Sequence, residues 1–104
     1  MDFIARFAAA FVGLVPMQHG LASVYDEGRK ITACGEWFNR AALTAAHRTL
    51  PCGSRIRVWR GDRSVVVRVN DRGPFVVGRI VDLTPAAAMA LGFDGLADVS
   101  LERM

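Results

Sequence analysis

A small, mainly β domain closed into a barrel, with one short helix, is the fold class that this 104-residue sequence predicts. Three observations lead there. From residue 21 onward, short runs with period-two or β-branched character alternate with turn residues. One segment carries a full set of helix signals. The length holds one domain at most, so a few strands must protect their own edges, and closure into a barrel does so.

Residues 21–25 are the first expected strand, broken by Asp26-Glu27-Gly28. Residues 55–59 alternate Arg, Ile, Arg, Val, Trp, the pattern of a half-buried strand. Gly61-Asp62 reads as a turn, and the β-branched run 64–70 then completes a hairpin. Residues 79–83 and 98–102 supply two more strands. Between them, Thr84 suits an N-cap and Pro85 the first helical position, where a missing N–H costs nothing. Residues 86–91 are strong helix formers and Gly92 can take the left-handed stop, so a helix is expected over Pro85–Leu91. Residues 35–46 carry no decisive period.

The mean hydropathy of +0.25 is high for a small soluble protein, and its source is local. Residues 3–17 contain twelve apolar residues in fifteen, and 7–17 carry no charge. That run is too short for a spanning helix, which needs about 20 residues, but it suits the apolar segment of a secretory signal. Arg6 and the amino terminus lead it, offset by Asp2, and Gly20-Leu21-Ala22 offers small residues for a signal peptidase. A buried N-terminal helix is the alternative, interrupted by Gly13 and Pro16. Residues 1–22 are thus expected to be an export signal and 23–104 the domain, in the periplasm or secreted. The first cysteine is Cys34, well past the apolar run, so no lipid anchor is expected.

The remaining 82 residues keep a net charge of +3. A domain of this size often needs a covalent staple. Cys34 and Cys52 are an even pair in a chain expected to meet an oxidising compartment, and a structural disulfide is the best reading. Two buried thiols, or zinc ligands shared with His47, are the alternatives; a zinc site usually shows close cysteine pairs, and this sequence has none. No metal or cofactor is expected.

Asn70-Asp71-Arg72-Gly73-Pro74 gathers a carboxylate, a guanidinium and two turn formers after a strand of valines. On the residues alone a tight turn comes first. The second reading sets Asp71 at a barrel mouth, with Arg72 pairing it or binding substrate oxygens. Glu36, beside Gly35 and close to Cys34, and His47 add a second carboxylate and an imidazole, enough for acid–base work if they meet. Asp82, within Ile80-Val81-Asp82-Leu83-Thr84, reads as a buried structural group ahead of a second site acid. Tyr25, Trp37, Trp59 and Phe75 are candidates for a sugar-stacking face, although most aromatic residues in so small a chain are core. No nucleophile elbow, phosphate loop or dinucleotide fingerprint occurs. The arginines are scattered, which favours an acidic polymer over nucleic acid.

The order of these motifs resembles the double-psi β-barrel domain of the rare lipoprotein A (RlpA) family. The matching stretches are GLASVY from Gly20, TACGEWFN from Thr32, TAAHRTLP from Thr44, the run from Val65 that ends in NDRGPF, and residues 78–92. Five motifs in order span nearly all of residues 20–104. The resemblance implies a six-stranded barrel with two crossed ψ loops and a groove, related to expansins and to MltA-type transglycosylases. It implies a lytic transglycosylase, a lyase acting on peptidoglycan glycan strands as a monomer. Catalytic roles then fall on Asp71, Glu36 and His47, and substrate contacts on Asn70, Arg72, Tyr25 and Asp82. Such an enzyme lets the C6 hydroxyl of MurNAc attack its own anomeric carbon, and one partly buried carboxyl group can serve as acid and then base.

This sequence also departs from the family pattern. Val24 and Asp26 replace the Trp and Gly usual around the tyrosine, removing part of the expected groove wall. Cys34 and Cys52 replace a usual Ser and Phe, a joint change that supports a disulfide between the two loops. No peptidoglycan-binding repeat follows the barrel in this sequence. The lost Trp and the expected lack of a binding repeat favour the alternative, an expansin-like protein that binds and loosens wall polysaccharide without cutting it, while the retained Glu36, His47 and Asp71 favour the transglycosylase.

Overall fold

The computed structural model describes residues 17–104. Six strands close a barrel: β1 (Gln18–Val24), β2 (Thr44–Ala46), β3 (Arg55–Arg60), β4 (Arg63–Asp71), β5 (Arg79–Leu83) and β6 (Leu96–Arg103). Their order around the barrel is β1-β5-β2-β4-β3-β6. The pairs β1·β5 and β2·β4 are parallel and the remaining pairs antiparallel, the double-psi arrangement expected. The helix α1 (Pro85–Leu91) is the one expected: the Thr84 side chain accepts the Ala87 amide and Gly92 closes it in the left-handed region.

β5 has the expected bounds, β3 runs one residue further at its end, and β4 runs one residue further at both ends. β2 lies inside the stretch without a decisive period. It is only three residues long, Thr-Ala-Ala, and all three are buried. It is hydrogen-bonded on both sides, to β4 and to β5.

β1 starts at Gln18, so the domain boundary expected at residue 23 falls within a strand. Ala22 is wholly buried and pairs with both Val81 and Ala97. The bulk of the expected export signal, residues 1–16, lies outside the described residues. Gly20 also has a packing role: a Cβ there would meet Ile80 Cγ2 at 2.7 Å and the Gly78 carbonyl at 3.2 Å.

The core is a single apolar cluster. Ile56 and Val58 of β3, Val67 and Val69 of β4, Val81 and Leu83 of β5 and Leu91 of α1 are its most deeply buried large members. Ile56 and Val58 of β3 and Val65, Val67 and Val69 of β4 enter it from alternate positions, the period that the sequence shows over residues 55–59.

Cys34 and Cys52 form the expected disulfide, with Cα atoms 5.8 Å apart. It ties the loop before β2 to the loop before β3. The two loops also bond to β4 directly, through Cys34 N–H to the Asn70 carbonyl (3.2 Å) and Gly53 N–H to the Val69 carbonyl (2.7 Å). Replacing both cysteines by serine should cost about 3 kcal/mol on the chain-entropy account. For a domain of this size that lowers Tm by about 12 °C or more, measurable by calorimetry or circular dichroism. A drop of under about 3 °C would show that the backbone bonds alone hold the loops.

Candidate active site

Asp71 ends β4 and Asp82 lies within β5, yet strand register brings them into one row. Ala46 of β2 pairs with Asp71 on one side and with Asp82 on the other, and Asp82 pairs in turn with Ser23 of β1. Two strand spacings separate the two aspartates, roughly 10 Å between Cα atoms. Tyr25 follows β1 and is held by its N–H to the Leu83 carbonyl (3.0 Å). Its hydroxyl donates to Asp71 Oδ2 at 3.3 Å. Ser23 donates its hydroxyl to Asp82 Oδ1.

The two carboxyl groups have different surroundings. Asp71 Oδ1 accepts the backbone N–H groups of Ala33 and of Arg72, each at 2.9 Å, which fixes the carboxylate plane. Oδ2 meets Tyr25 alone among the described residues and is the edge left for a ligand. Burial pushes the Asp82 carboxyl above the ordinary carboxylate range, partly opposed by the Ser23 hydroxyl and the Arg79 charge. Burial and the charges of Asp71 and Asp82 push the Tyr25 phenol upward, so it remains a hydroxyl donor. Gly73 lies over this row in the left-handed region, φ 120°, and a Cβ on it would approach the Phe75 ring at 3.6 Å and Asp82 Oδ2 at 3.8 Å. Phe75, 77% exposed, extends the lip of the site into solvent.

The other residues expected at the site are engaged elsewhere. Glu36 forms a two-pronged pair with Arg68, at 2.5 and 2.9 Å, and that hydrogen bonding holds its carboxyl below the ordinary range. Asn70 is almost wholly buried, with its Oδ1 unpartnered among the described residues. Nδ1 of His47 accepts the amides of Thr49 and Leu50, each at 3.2 Å. Its Nε2 must therefore carry the hydrogen and donate to Gln18 Oε1 at 3.0 Å. Burial, with the charges of Arg48 and Arg72, holds His47 below the usual imidazole range, so the ring is neutral. Arg72 turns away from the cleft and donates to the carbonyls of His47 (2.9 Å) and Leu50 (2.6 Å). The structure thus gathers Asp71, Tyr25 and Asp82, and makes Glu36, His47 and Arg72 fasteners of the loops around them.

Three contributors escape a reading of the sequence. Ser23 lies two residues before Tyr25 on the same strand face, and strand periodicity could have linked it to the site. Gln18 orients His47 from within the stretch read as export signal. Arg48 reaches the carbonyls of Pro74 (3.1 Å) and Arg79 (3.2 Å), fastening the loop over Asp82. Neither of these last two has a local sequence signal. Among the described residues no group of three His, Cys, Asp or Glu side chains could hold a metal.

Residues 17–101 match the lytic transglycolase family. A probable endolytic peptidoglycan transglycosylase RlpA of Nostoc sp. is 53% identical over 91 residues, covering 80% of this chain and 24% of that protein. The endolytic peptidoglycan transglycosylase RlpA of Neisseria meningitidis serogroup A is 49% identical over 94 residues, covering 84% and 39%. The chain spans about a quarter of the Nostoc relative's length. Among solved structures, apo Clavibacter michiganensis expansin superposes with a TM-score of 0.70 at 24% identity, over 86% of this chain and 50% of that one. The Streptomyces papain inhibitor superposes at 0.69 and 21% identity, over 86% and 94%. The expansin and the inhibitor share the barrel, while the relatives near 50% identity fix the lineage: this chain belongs to the lytic transglycolase family of RlpA-like double-psi β-barrels.

Proposed function

We propose that this domain acts outside the cytoplasm as an endolytic transglycosylase of peptidoglycan glycan strands, with Asp71 as its acid and base. The observation that carries the reading is the 53% identity, over four-fifths of the chain, to a protein named as such an enzyme. The disulfide suits an oxidising compartment. An export signal cut upstream of Gln18 would leave β1 whole, whereas a cut after Ala22 would remove most of it. The domain is proposed to act as a monomer.

The reaction needs one proton delivered and one removed. Protonated Asp71 gives its proton to the glycosidic oxygen as the bond from that oxygen to C1 of MurNAc breaks. The C6 hydroxyl of the same sugar then bonds to C1, and the Asp71 carboxylate takes the hydroxyl proton. The products are a 1,6-anhydro end and a free C4 hydroxyl on the neighbouring sugar; no water is consumed. Oδ2 is the oxygen that does this, because Oδ1 is held by two amides. Tyr25, kept as a hydroxyl, donates either to Oδ2 or to a sugar oxygen that displaces it. Asp82, across Ala46, offers a second carboxyl along the same row, suited to a sugar hydroxyl. Glu36, paired with Arg68, serves by holding its loop, and so does neutral His47.

Asp71→Asn should fold normally and lose at least about 100-fold of the cleavage rate on amidase-treated sacculi, the range ascribed to acid–base catalysis. Mass spectrometry of the wild-type digest should show anhydromuramyl ends. Reducing ends would indicate a hydrolase, and binding without products would favour the expansin-like, non-cutting alternative.

His47 yields a prediction on stability. Its folded-state pKa is depressed, so the neutral ring stabilises the fold above the ordinary value of 6.5, and that contribution is lost as pH falls through the folded value. Unfolding free energy should therefore decline on acidification below about 6.5, and His47→Gln should flatten that part of the profile. An unchanged slope in the variant would assign the loss to other groups.

A further inference from the structure

Trp59, a stacking candidate on sequence grounds, stands apart from the Asp71 cleft. The acid row runs over β1, β5, β2 and β4, whereas Trp59 lies on β3, on the other arc of the barrel. Register gives it a row of its own: Ser100 of β6 pairs with Trp59 on one side and with His19 of β1 on the other. Val58, Val99 and Leu101, their neighbours in sequence, enter the core, so Trp59 and Ser100 face outward. Along β1, His19 is about 13 Å from Ser23, where the acid row ends. The three residues line a cavity of about 380 Å³ together with Gly61, Asp98 and Val99. The indole is held in place there. Its Nε1 donates to Glu102 Oε1 at 3.2 Å, and the Arg57 guanidinium lies 5.9 Å from its ring, outside the cavity. Ser100 Oγ and His19 Nδ1 are hydrogen-bonded at 2.7 Å, which leaves the His19 Nε2 without a partner among the described residues. The chain has a net charge of +3, yet the described lining holds one carboxylate, Asp98, and no lysine or arginine. A phosphate or carboxylate ligand would meet no fixed cation there.

We propose that Trp59, Ser100, His19 and Asp98 form a second sugar site, on the wall of the barrel away from the cleft, that takes an uncharged pyranose of a glycan strand. The indole offers an apolar surface to the C–H face of the sugar ring. Asp98 accepts from sugar hydroxyls, while the Ser100 hydroxyl and the His19 ring can each donate or accept. The same carboxylate disfavours an acidic sugar. A strand gripped here is held at a point remote from the bond over Asp71. The site is independent of the transglycosylase reading, because it serves equally a cleft that cuts and one that only binds.

The test is an NMR titration of isotope-labelled protein with N,N′-diacetylchitobiose, which contains no MurNAc and so is not consumed by a transglycosylase. The Trp59 indole N–H and the amides of His19 and Ser100 should shift along a saturable curve. Trp59→Ala should weaken this binding about tenfold. Ser100→Leu keeps the indole but removes the hydroxyl and fills the cavity, and should weaken binding at least as much. That variant carries the test if Trp59→Ala fails to fold. Glucuronic acid, which bears a carboxylate, should leave the three signals in place. Shifts confined to the amides of Tyr25, Asp71 and Asp82, no shifts at all, or an unsaturated drift at the three signals overturn the site. Parental affinity in folded Ser100→Leu overturns it too. None of these outcomes touches the transglycosylase reading, which stands or falls on anhydromuramyl ends. Saturable shifts with glucuronic acid equal to those with the disaccharide overturn the class of ligand assigned.

Discussion

Ala46 has a hydrogen-bonded strand on each side, and that double pairing organises the rest of the molecule. A residue at the edge of a sheet could serve one neighbour; Ala46 fixes two, Asp71 on β4 and Asp82 on β5. The strands themselves come from distant parts of the sequence and are joined by the two ψ crossings. Ala45 pairs with the core residues Val69 and Leu83, while Ala46, wholly buried, faces the other way, so a side chain larger than alanine has no room there and the row of carboxyl groups depends on a methyl group's worth of space. A shift of one residue in β2 would turn its side chains to the opposite face and separate the acids.

A row of acids becomes a site only if their oxygens are held. Backbone amides do this for Asp71, and both of those amides belong to loops that need fastening themselves. The disulfide, the Glu36–Arg68 pair, the His47 ring and the inward-turned Arg72 guanidinium supply it. The disulfide is covalent; Glu36, His47 and Arg72 make their contacts with a neighbouring charge, with backbone amides and with backbone carbonyls. This is how preorganisation is built in a small barrel: side chains around Asp71 are spent on the loops, and its Oδ2 is left with one long hydrogen bond, from Tyr25.

Much of the fold was legible because its strands alternate. β3 and the valines of β4 are buried at every second position and α1 carries both of its caps, so local physics determined them. β2 was not legible, since three small buried residues have no period to read, and its identity is set by strands 20 and more residues away. The site was legible in part for the same reason. Asp71 was marked by its turn and Asp82 by its apolar neighbours. Whether Glu36, His47 and Arg72 faced a ligand or a loop was decided by distant partners, Arg68, Gln18 and the carbonyls of 47 and 50, which no local pattern announces. The first strand begins at Gln18, three residues ahead of the expected run 21–25, because pairing with β6 and not a local pattern carries it that far.

The division between the two aspartates follows from what each was given. Asp71 has two backbone donors on one oxygen and, among the described residues, only the Tyr25 hydroxyl on the other, so its plane is fixed while Oδ2 keeps acceptor capacity. Asp82 has one hydroxyl donor, and burial pushes its carboxyl upward. Tyr25 lies within reach of both fields and answers them by remaining protonated. Two carboxyl groups and a phenol in one cleft would repel if all were ionised; a neutral phenol between them contributes a donor instead of a third negative charge. The cleft therefore presents a donor hydroxyl beside an open carboxyl oxygen, the pair of groups that a glycosidic oxygen and a neighbouring hydroxyl both require.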